Sequence, residues 1–223
     1  MSAATSAVVV KRNGLSPLTK RIIWIVLIVA LIVAMALSTR VVTKGSALAA
    51  GSGQFSAADY GKTQFPKMQE FISANAVGAT ELATAVAADQ GAAAKKYGHS
   101  TDDVTYIIPV KFTGVVGQIP AAGYTPITVT GLAGDVKIGL QLGPAVNGTD
   151  LRDVTGKVTL NNFENQIQYQ DAGQAINEQL KKDVLAKVDA TGLQGKTISV
   201  EGAFTLINPK QWNVTPSKIT VGP

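Results

Sequence analysis

Residues 197–206 have the sequence TISVEGAFTL and give the clearest indication of the fold. Apolar residues occupy alternate positions in this stretch, at Ile198, Val200, Phe204 and Leu206, and mostly polar residues lie between them. A period of two is typical of a β-strand that buries one face. The alternation therefore predicts a long, half-buried strand near the C-terminus.

Weaker strand patterns precede and follow this stretch. Pro109 interrupts the first one, which predicts an edge strand or two short strands, and Pro216 separates the two parts of the last one. The predicted strands cover residues 104–116, 127–130, 136–142, 158–160, and 214 with 219–221.

One long helix is predicted among the strands, over residues 166–190. Apolar residues from Tyr169 to Val188 recur at spacings of three and four, and Gly192 is a plausible stop. Strands, a helix and further strands in this order favour an OB-type Greek-key barrel over residues 101–223. The predicted fold class is mainly β with helices (α+β).

A small helical subdomain is predicted over residues 56–100. Ser56 resembles a helix N-cap, and Pro66 suits the first turn of a second helix. An alanine-rich helix over residues 79–96 follows, and we expect Gly91 to interrupt it.

The N-terminal region predicts a membrane anchor. Residues 22–37 are sixteen consecutive apolar residues, and the segment extends to residue 42 with only one charge, Arg40. Four basic residues precede the run, which predicts that residues 1–21 are cytoplasmic and that the C-terminal domain is extracytoplasmic in a single-pass protein of the cell membrane. Residues 43–55 are rich in small residues and predict a flexible linker.

A cleaved signal peptide is the alternative. Residues 47–49 read Ala-Leu-Ala, which has the small-x-small form of a cleavage site. This site lies about ten residues beyond the apolar run, and the run exceeds the usual 7–15 residues of a signal peptide. Both features favour the uncleaved anchor.

Composition excludes several classes of function. The net charge is +5, but residues 1–50 contain six basic residues and no acidic one, so residues 51–223 carry 14 basic against 15 acidic residues, a net of −1. A balanced body argues against a nucleic-acid partner. With no cysteine and one histidine, His99, we expect no metal, no cofactor and no catalytic residue. The neighbours Ser100, Asp102 and Asp103 look like solvated loop residues.

The densest polar stretch is residues 143–153, GPAVNGTDLRD, which supplies candidate ligand-binding residues. Arg152 can clamp an anion, or it can pair with Asp150 or Asp153 and brace the loop. Asn165 and Gln166 can bond sugar hydroxyls or cap the long helix. The predicted ligand-binding residues are Asn147, Thr149, Asp150, Arg152, Asp153, Asn165 and Gln166.

Residues 142–153, together with Asn162-Phe163, Asn165-Gln166 and residues 193–204, resemble an uncharacterised bacterial family of predicted periplasmic lipoproteins. The resemblance covers roughly residues 55–221. It implies an OB-like barrel with a helical subdomain, and genes beside ribose- or xylose-type sugar ABC transporters. The chain departs from the family in lacking the lipidated cysteine, and an apolar segment stands in its place.

The sequence favours two functions. The first is a membrane-anchored accessory protein that contacts a sugar ABC transporter permease or its substrate-binding protein. The second is a cell-envelope module that binds a small ligand or a carbohydrate at the 143–153 loop. An enzyme is not expected, because the sequence shows no nucleophile–base pair and no metal cluster.

Overall fold

The first element that the structure describes is an apolar helix, α1 (Pro17–Ser38). Its residues Pro17–Met35 have a mean hydropathy of 2.3, and the side chains described there are exposed on all sides. At 1.5 Å per residue the 22-residue helix is about 33 Å long, which suffices to cross the hydrocarbon core of a bilayer. The helix therefore has the length and composition of a membrane span.

The computed structural model describes residues 17–38, 55–100, 102–143, 145–189 and 192–222, which fall into two units, one within residues 1–54 and one within 55–223. The predicted cytoplasmic residues 1–16, residues 39–42 of the predicted anchor, and residues 43–54 of the predicted linker lie outside the described residues. The possible cleavage site at residues 47–49 lies there too.

The second unit begins with helices and continues with strands. Its elements are α2 (Ala57–Asn75), β1 (Val77–Gly78), α3 (Ala79–Ala88), α4 (Gln90–Tyr97), β2 (Ile107–Val116), β3 (Thr125–Thr128), β4 (Lys137–Leu140), α5 (Asp150–Asp153), α6 (Gln166–Asp183), β5 (Thr197–Thr205) and β6 (Gln211–Val221).

Five of these strands close into a barrel. The order is β2-β3-β4-β6-β5, and β5 pairs back onto β2. The β4–β6 pair is parallel, the other pairs of the barrel are antiparallel, and α6 lies in the connection from β4 to β5. This is the predicted OB-type Greek-key barrel with helices, so the predicted fold class is confirmed.

Two hydrophobic clusters hold the unit together. One includes the barrel interior, where the rings of Phe204 and Trp212 stack with centroids 5.0 Å apart. The other includes apolar residues of α2 and α6, among them Phe65 and Ile176, which are fully buried. Gly61 lets the two helices approach closely, because a Cβ there would lie 2.6 Å from the carbonyl oxygen of Ala175.

Two strands predicted to be divided at prolines are continuous. Residues 107–116 form one strand of the closed barrel, so the edge-strand prediction was wrong. Pro109 lies opposite Ala203, and on the other edge of β2 the ladder to β1 begins only at Val110. Pro216 is part of β6, where a register shift opposite Glu201 and Gly202 accommodates it.

The strand predicted at residues 158–160 is not formed. Thr159 instead caps a single 3₁₀ turn at Leu160–Asn162, and its backbone N–H donates to the Asn162 side chain at 2.7 Å. Val158 packs against the second hydrophobic cluster. Local side-chain bonding to the backbone has therefore replaced strand pairing.

The predicted helices are present, with different bounds. Ser56 caps α2 as predicted, but α2 is one helix through Pro66, which is tolerated on its exposed face. The alanine-rich segment breaks at Asp89, not Gly91, because the Asp89 side chain accepts a bond from Ala92 N–H and caps α4. The long helix ends at Asp183 instead of residue 190, and a 3₁₀ turn follows it.

Gly202 is required at the β5–β6 register shift, and its replacement by alanine tests this packing. A Cβ at Gly202 would lie 2.5 Å from the backbone oxygen of Thr215. We expect Gly202→Ala to lower the free energy of unfolding by about 1–3 kcal/mol. Thermal unfolding of the full chain in detergent measures the change. Gly78→Ala is the control, since no atom lies within 4 Å of its Cβ position, and equal midpoints for both variants would contradict the packing argument.

Candidate functional site

The loop of residues 143–153 follows β4 and is fixed to the end of that strand by Gln141. The Gln141 side chain is 4% exposed, and its Oε1 accepts from the Asn147 backbone N–H at 3.0 Å. Its Nε2 donates to the Asn147 carbonyl at 2.9 Å. One buried carboxamide therefore satisfies both backbone groups of a loop residue, as a neighbouring strand would.

Gln141 and Asp150 belong to a polar network under this loop. Gln141 Nε2 lies 3.1 Å from Tyr124 Oη and 3.4 Å from Thr215 Oγ1. The Asp150 carboxylate accepts from Thr215 Oγ1 at 3.0 Å and from Thr205 Oγ1 at 2.6 Å. The network thus connects the loop to both C-terminal strands of the barrel.

Burial raises the pKa of Asp150 above the ordinary value for a carboxyl group. The hydroxyls of Thr205 and Thr215 oppose the rise by donating to the charged form, and the nearby charge of Asp153 adds to it. The outcome is a carboxyl group that is less acidic in the folded chain than in the unfolded chain.

Arg152 is 5% exposed and bonds within the protein through all three guanidinium nitrogens. Nε and Nη2 donate to the two carboxylate oxygens of Asp153 at 2.7 and 2.8 Å, and Nη1 donates to the Tyr169 carbonyl at 2.9 Å. Gly173 of α6 lies beside it, at a position where a Cβ would be in ordinary contact with Nη1 at 3.4 Å. These contacts match the interpretation in which Arg152 pairs with Asp153 and braces the loop.

An aromatic cluster covers Arg152. The guanidinium carbon lies 3.6 Å from the ring centroid of Tyr169, a cation–π contact. Phe163 packs against Tyr169 and Tyr60 at centroid distances of 5.5 and 5.7 Å, and Phe55 packs against Phe163 at 5.5 Å. Burial raises the pKa of Tyr60 and of Tyr169, while the charge of Arg152 acts in the opposite direction.

The predicted site residues divide into two groups. Asp150, Arg152, Asp153 and Asn165 bond within the protein, and Asn165 caps α6 by accepting from the Gln168 N–H at 2.9 Å. Asn147, Thr149 and Gln166 are exposed. Ligand binding by this set stays a prediction.

A small pocket adjoins the loop and was not anticipated. It has a volume of about 170 Å³ and combines residues from two chain segments. Its lining residues are Ala121, Ala122, Gly123, Tyr124, Gln141, Gly143, Ala145 and Asn147. Of these only Asn147 was among the predicted residues. Tyr124 and Gln141 come together because β3 and β4 pair with Thr125 opposite Leu140, a register that the sequence analysis did not predict.

His99 and its neighbours stabilise a turn. The backbone of His99 pairs with Ile107, and its ring packs edge-on against Phe71 at 5.0 Å. Burial lowers the pKa of His99, and nearby Lys157 lowers it further. Hydrogen bonds from the backbone N–H groups of Thr105 and Val104 and from Ser100 lower the pKa of Asp102 to about 2. Within the described residues, no group of three His, Cys, Asp or Glu could hold a metal.

Comparisons with known proteins agree with the fold. A family described as predicted periplasmic lipoprotein, DUF2291, matches residues 27–220. A crystal structure of an OB-fold protein from Thermotoga maritima is similar at a TM-score of 0.60 and 16% identity, covering 75% of this chain and 99% of the other. No curated protein matches the chain significantly. The structural likeness supports the OB fold alone.

Replacing Arg152 tests whether it braces the loop. Arg152→Ala leaves the half-buried Asp153 carboxylate and the Tyr169 carbonyl without their donor, so we expect a loss of about 1–3 kcal/mol of stability. Melting curves of the full chain should show the loss equally with and without pentoses, hexoses or phosphate. Lys181→Ala removes the exposed Lys181–Glu178 pair and should cost only about 0–1 kcal/mol. An unchanged midpoint in Arg152→Ala, with a ligand shift only in wild type, would mean ligand capture.

The raised pKa of Asp150 predicts that the stability difference between wild type and Asp150→Asn depends on pH. Because the folded chain binds this proton more tightly than the unfolded chain, Asp150 lowers stability as pH rises through the ordinary carboxyl range near 4. Asp150→Asn keeps an acceptor for the threonine hydroxyls and removes the charge. We expect the variant to gain stability relative to wild type between pH 3 and neutral pH, measured by thermal unfolding. A difference independent of pH would show that the carboxyl titrates normally.

Proposed function

The chain belongs to the DUF2291 family of predicted periplasmic lipoproteins, and we propose that it is a single-pass, membrane-anchored accessory protein of a sugar ABC transporter. In this proposal the barrel works outside the cytoplasm by binding and performs no chemical step. Family membership supports the coarser part of the proposal, an extracytoplasmic protein associated with the membrane.

Membrane attachment is supported mainly by the exposed apolar surface of α1. Its large side chains are exposed on every face, among them Trp24 at 66% and Leu31 at 60%. In water such a surface is unfavourable, whereas in a bilayer it is solvated by lipid. The 223 residues contain no cysteine to carry a lipid, so a spanning helix is the means of attachment that the sequence offers.

The resemblance of residues 142–153 and 193–204 to the family is the reason for proposing a sugar transporter as the partner. In this proposal the charged side chains of the loop, Asp150, Arg152 and Asp153, have a structural role, since they bond to one another or to neighbouring groups. Side chains held in this way shape a surface for a partner.

Topology gives the first test. Alkaline phosphatase fused after Pro223 should be active and β-galactosidase at the same place inactive, and the full chain should stay in the membrane during carbonate extraction. Leu27→Arg combined with Ile28→Arg should release the chain, because each charge near the helix centre costs about 2.5–3.5 kcal/mol. Wild-type chain recovered in the soluble fraction with a new N-terminus near Ala50 would replace the anchor with a cleaved signal.

The transporter proposal has its own test. Deleting the gene should reduce uptake of radiolabelled ribose or xylose, and the full chain should restore it. A photo-crosslinker placed at Asn147 should attach the barrel to the permease or to the sugar-binding protein. Uptake of an amino acid by a separate transporter is the control. Normal sugar uptake without any such crosslink would overturn the proposal.

A further inference from the structure

The pocket beside the 143–153 loop has a neutral lining that is suited to one class of ligand. Its eight lining residues include no charged side chain, although Arg152 and two aspartates lie in the same loop. Arg and Lys side chains are strong binders of phosphates and carboxylates, and the described lining residues include neither. The pocket therefore favours a neutral ligand.

The polar groups of the pocket are fixed in advance. Tyr124 Oη accepts from Gln141 Nε2 at 3.1 Å, and Gln141 is itself held by both backbone groups of Asn147. Because Tyr124 accepts this bond, its hydroxyl hydrogen remains available to donate to a ligand. Groups positioned before binding lose little entropy when a ligand arrives.

Glycines provide the room in the pocket. At Gly143 no atom lies within 4 Å of the position that a Cβ would take, and the same holds at Gly123, which adopts φ +94°. At Gly139 a Cβ would lie 2.8 Å from Tyr124 Cβ, so a glycine there lets Tyr124 cross β4. A pocket of about 170 Å³ lies below the usual range for drug-sized ligands and suits a small molecule.

We propose that this pocket binds a neutral monosaccharide. The half-exposed Tyr124 ring would cover the C–H face of the sugar, and the Tyr124 hydroxyl and the exposed Asn147 carboxamide would bond its hydroxyls, while the buried Gln141 holds both residues in place. The small residues at 121–123 and at 143 and 145 leave space for the ring. The choice of a sugar among neutral polar molecules rests on the proposed function.

Calorimetric titration of the full chain in detergent micelles tests the proposal. The probes are D-ribose, D-xylose and D-glucose, with inorganic phosphate and D-gluconate as charged comparisons. We expect saturable binding of at least one neutral sugar and none of the anions. Binding of the anions alone, or of no probe at all, would overturn the proposal.

Three variants locate the site. Gly143→Val adds a side chain at a lining residue where a Cβ meets no atom within 4 Å, and it should weaken binding by about 10-fold or more, with an unchanged melting midpoint. Gly78→Val has open space at a position outside the pocket and should bind as wild type does. Tyr124→Phe keeps the ring, loses the hydroxyl and should bind severalfold more weakly. Wild-type affinity in both Gly143→Val and Tyr124→Phe would place the sugar elsewhere and refute the inference.

The result of the sugar titration is independent of the result of the transporter crosslinking experiment. Sugar binding without a crosslink to the transporter would refute only the proposed function. A crosslink that persists in a chain that binds no sugar would refute only the pocket inference.

Discussion

Nine consecutive residue pairs join β2 to β5, from Ile107 opposite Thr205 to Val115 opposite Thr197, and this ladder closes the barrel. The segments it brings together are about ninety residues apart in the chain, with α6 between them. Closure pairs one edge of each strand along nine residues and encloses the stacked pair of Phe204 and Trp212. The positions of the loops at the barrel ends depend on this pairing.

Closure of the barrel positions the threonine hydroxyls that bond the candidate site. Thr205 ends β5 and Thr215 lies in β6, and both hydroxyls bond Asp150 of the loop. Arg152 is held in turn by Asp153 and by α6. The residues that looked most reactive in the sequence are thus used to fix the loop, and the neutral pocket beside it is left open. Under the proposed function, membrane attachment by α1 and ligand binding by the barrel would be separate tasks of two parts of one chain.

The sequence predicted what depends on local periodicity. The alternation in residues 197–206 gave β5, the three-and-four spacing gave α6, and Ser56 gave the start of α2, all of which formed. It failed where distant segments decide the outcome. Pro109 and Pro216 stay within strands because their neighbours tolerate a missing N–H. Gln141 is buried although it is a polar residue between Leu140 and Leu142 in the predicted strand at 136–142. The Tyr124–Gln141 contact continues the β3–β4 register beyond Thr125 and Leu140, so it depends on a pairing that local periodicity does not specify.

The bonds to Gln141, Thr205 and Thr215 make the 143–153 loop a rigid part of the barrel. Hydrogen exchange of single amides in the full chain tests it most directly, at Asn147, which donates to Gln141, and at Asp153, which donates to the Thr149 carbonyl. We expect both amides to be protected about as well as those of β5, and Gln141→Leu to remove the protection at Asn147. Exchange of both amides at the rate of an unstructured peptide would show that the loop is not a rigid part of the barrel.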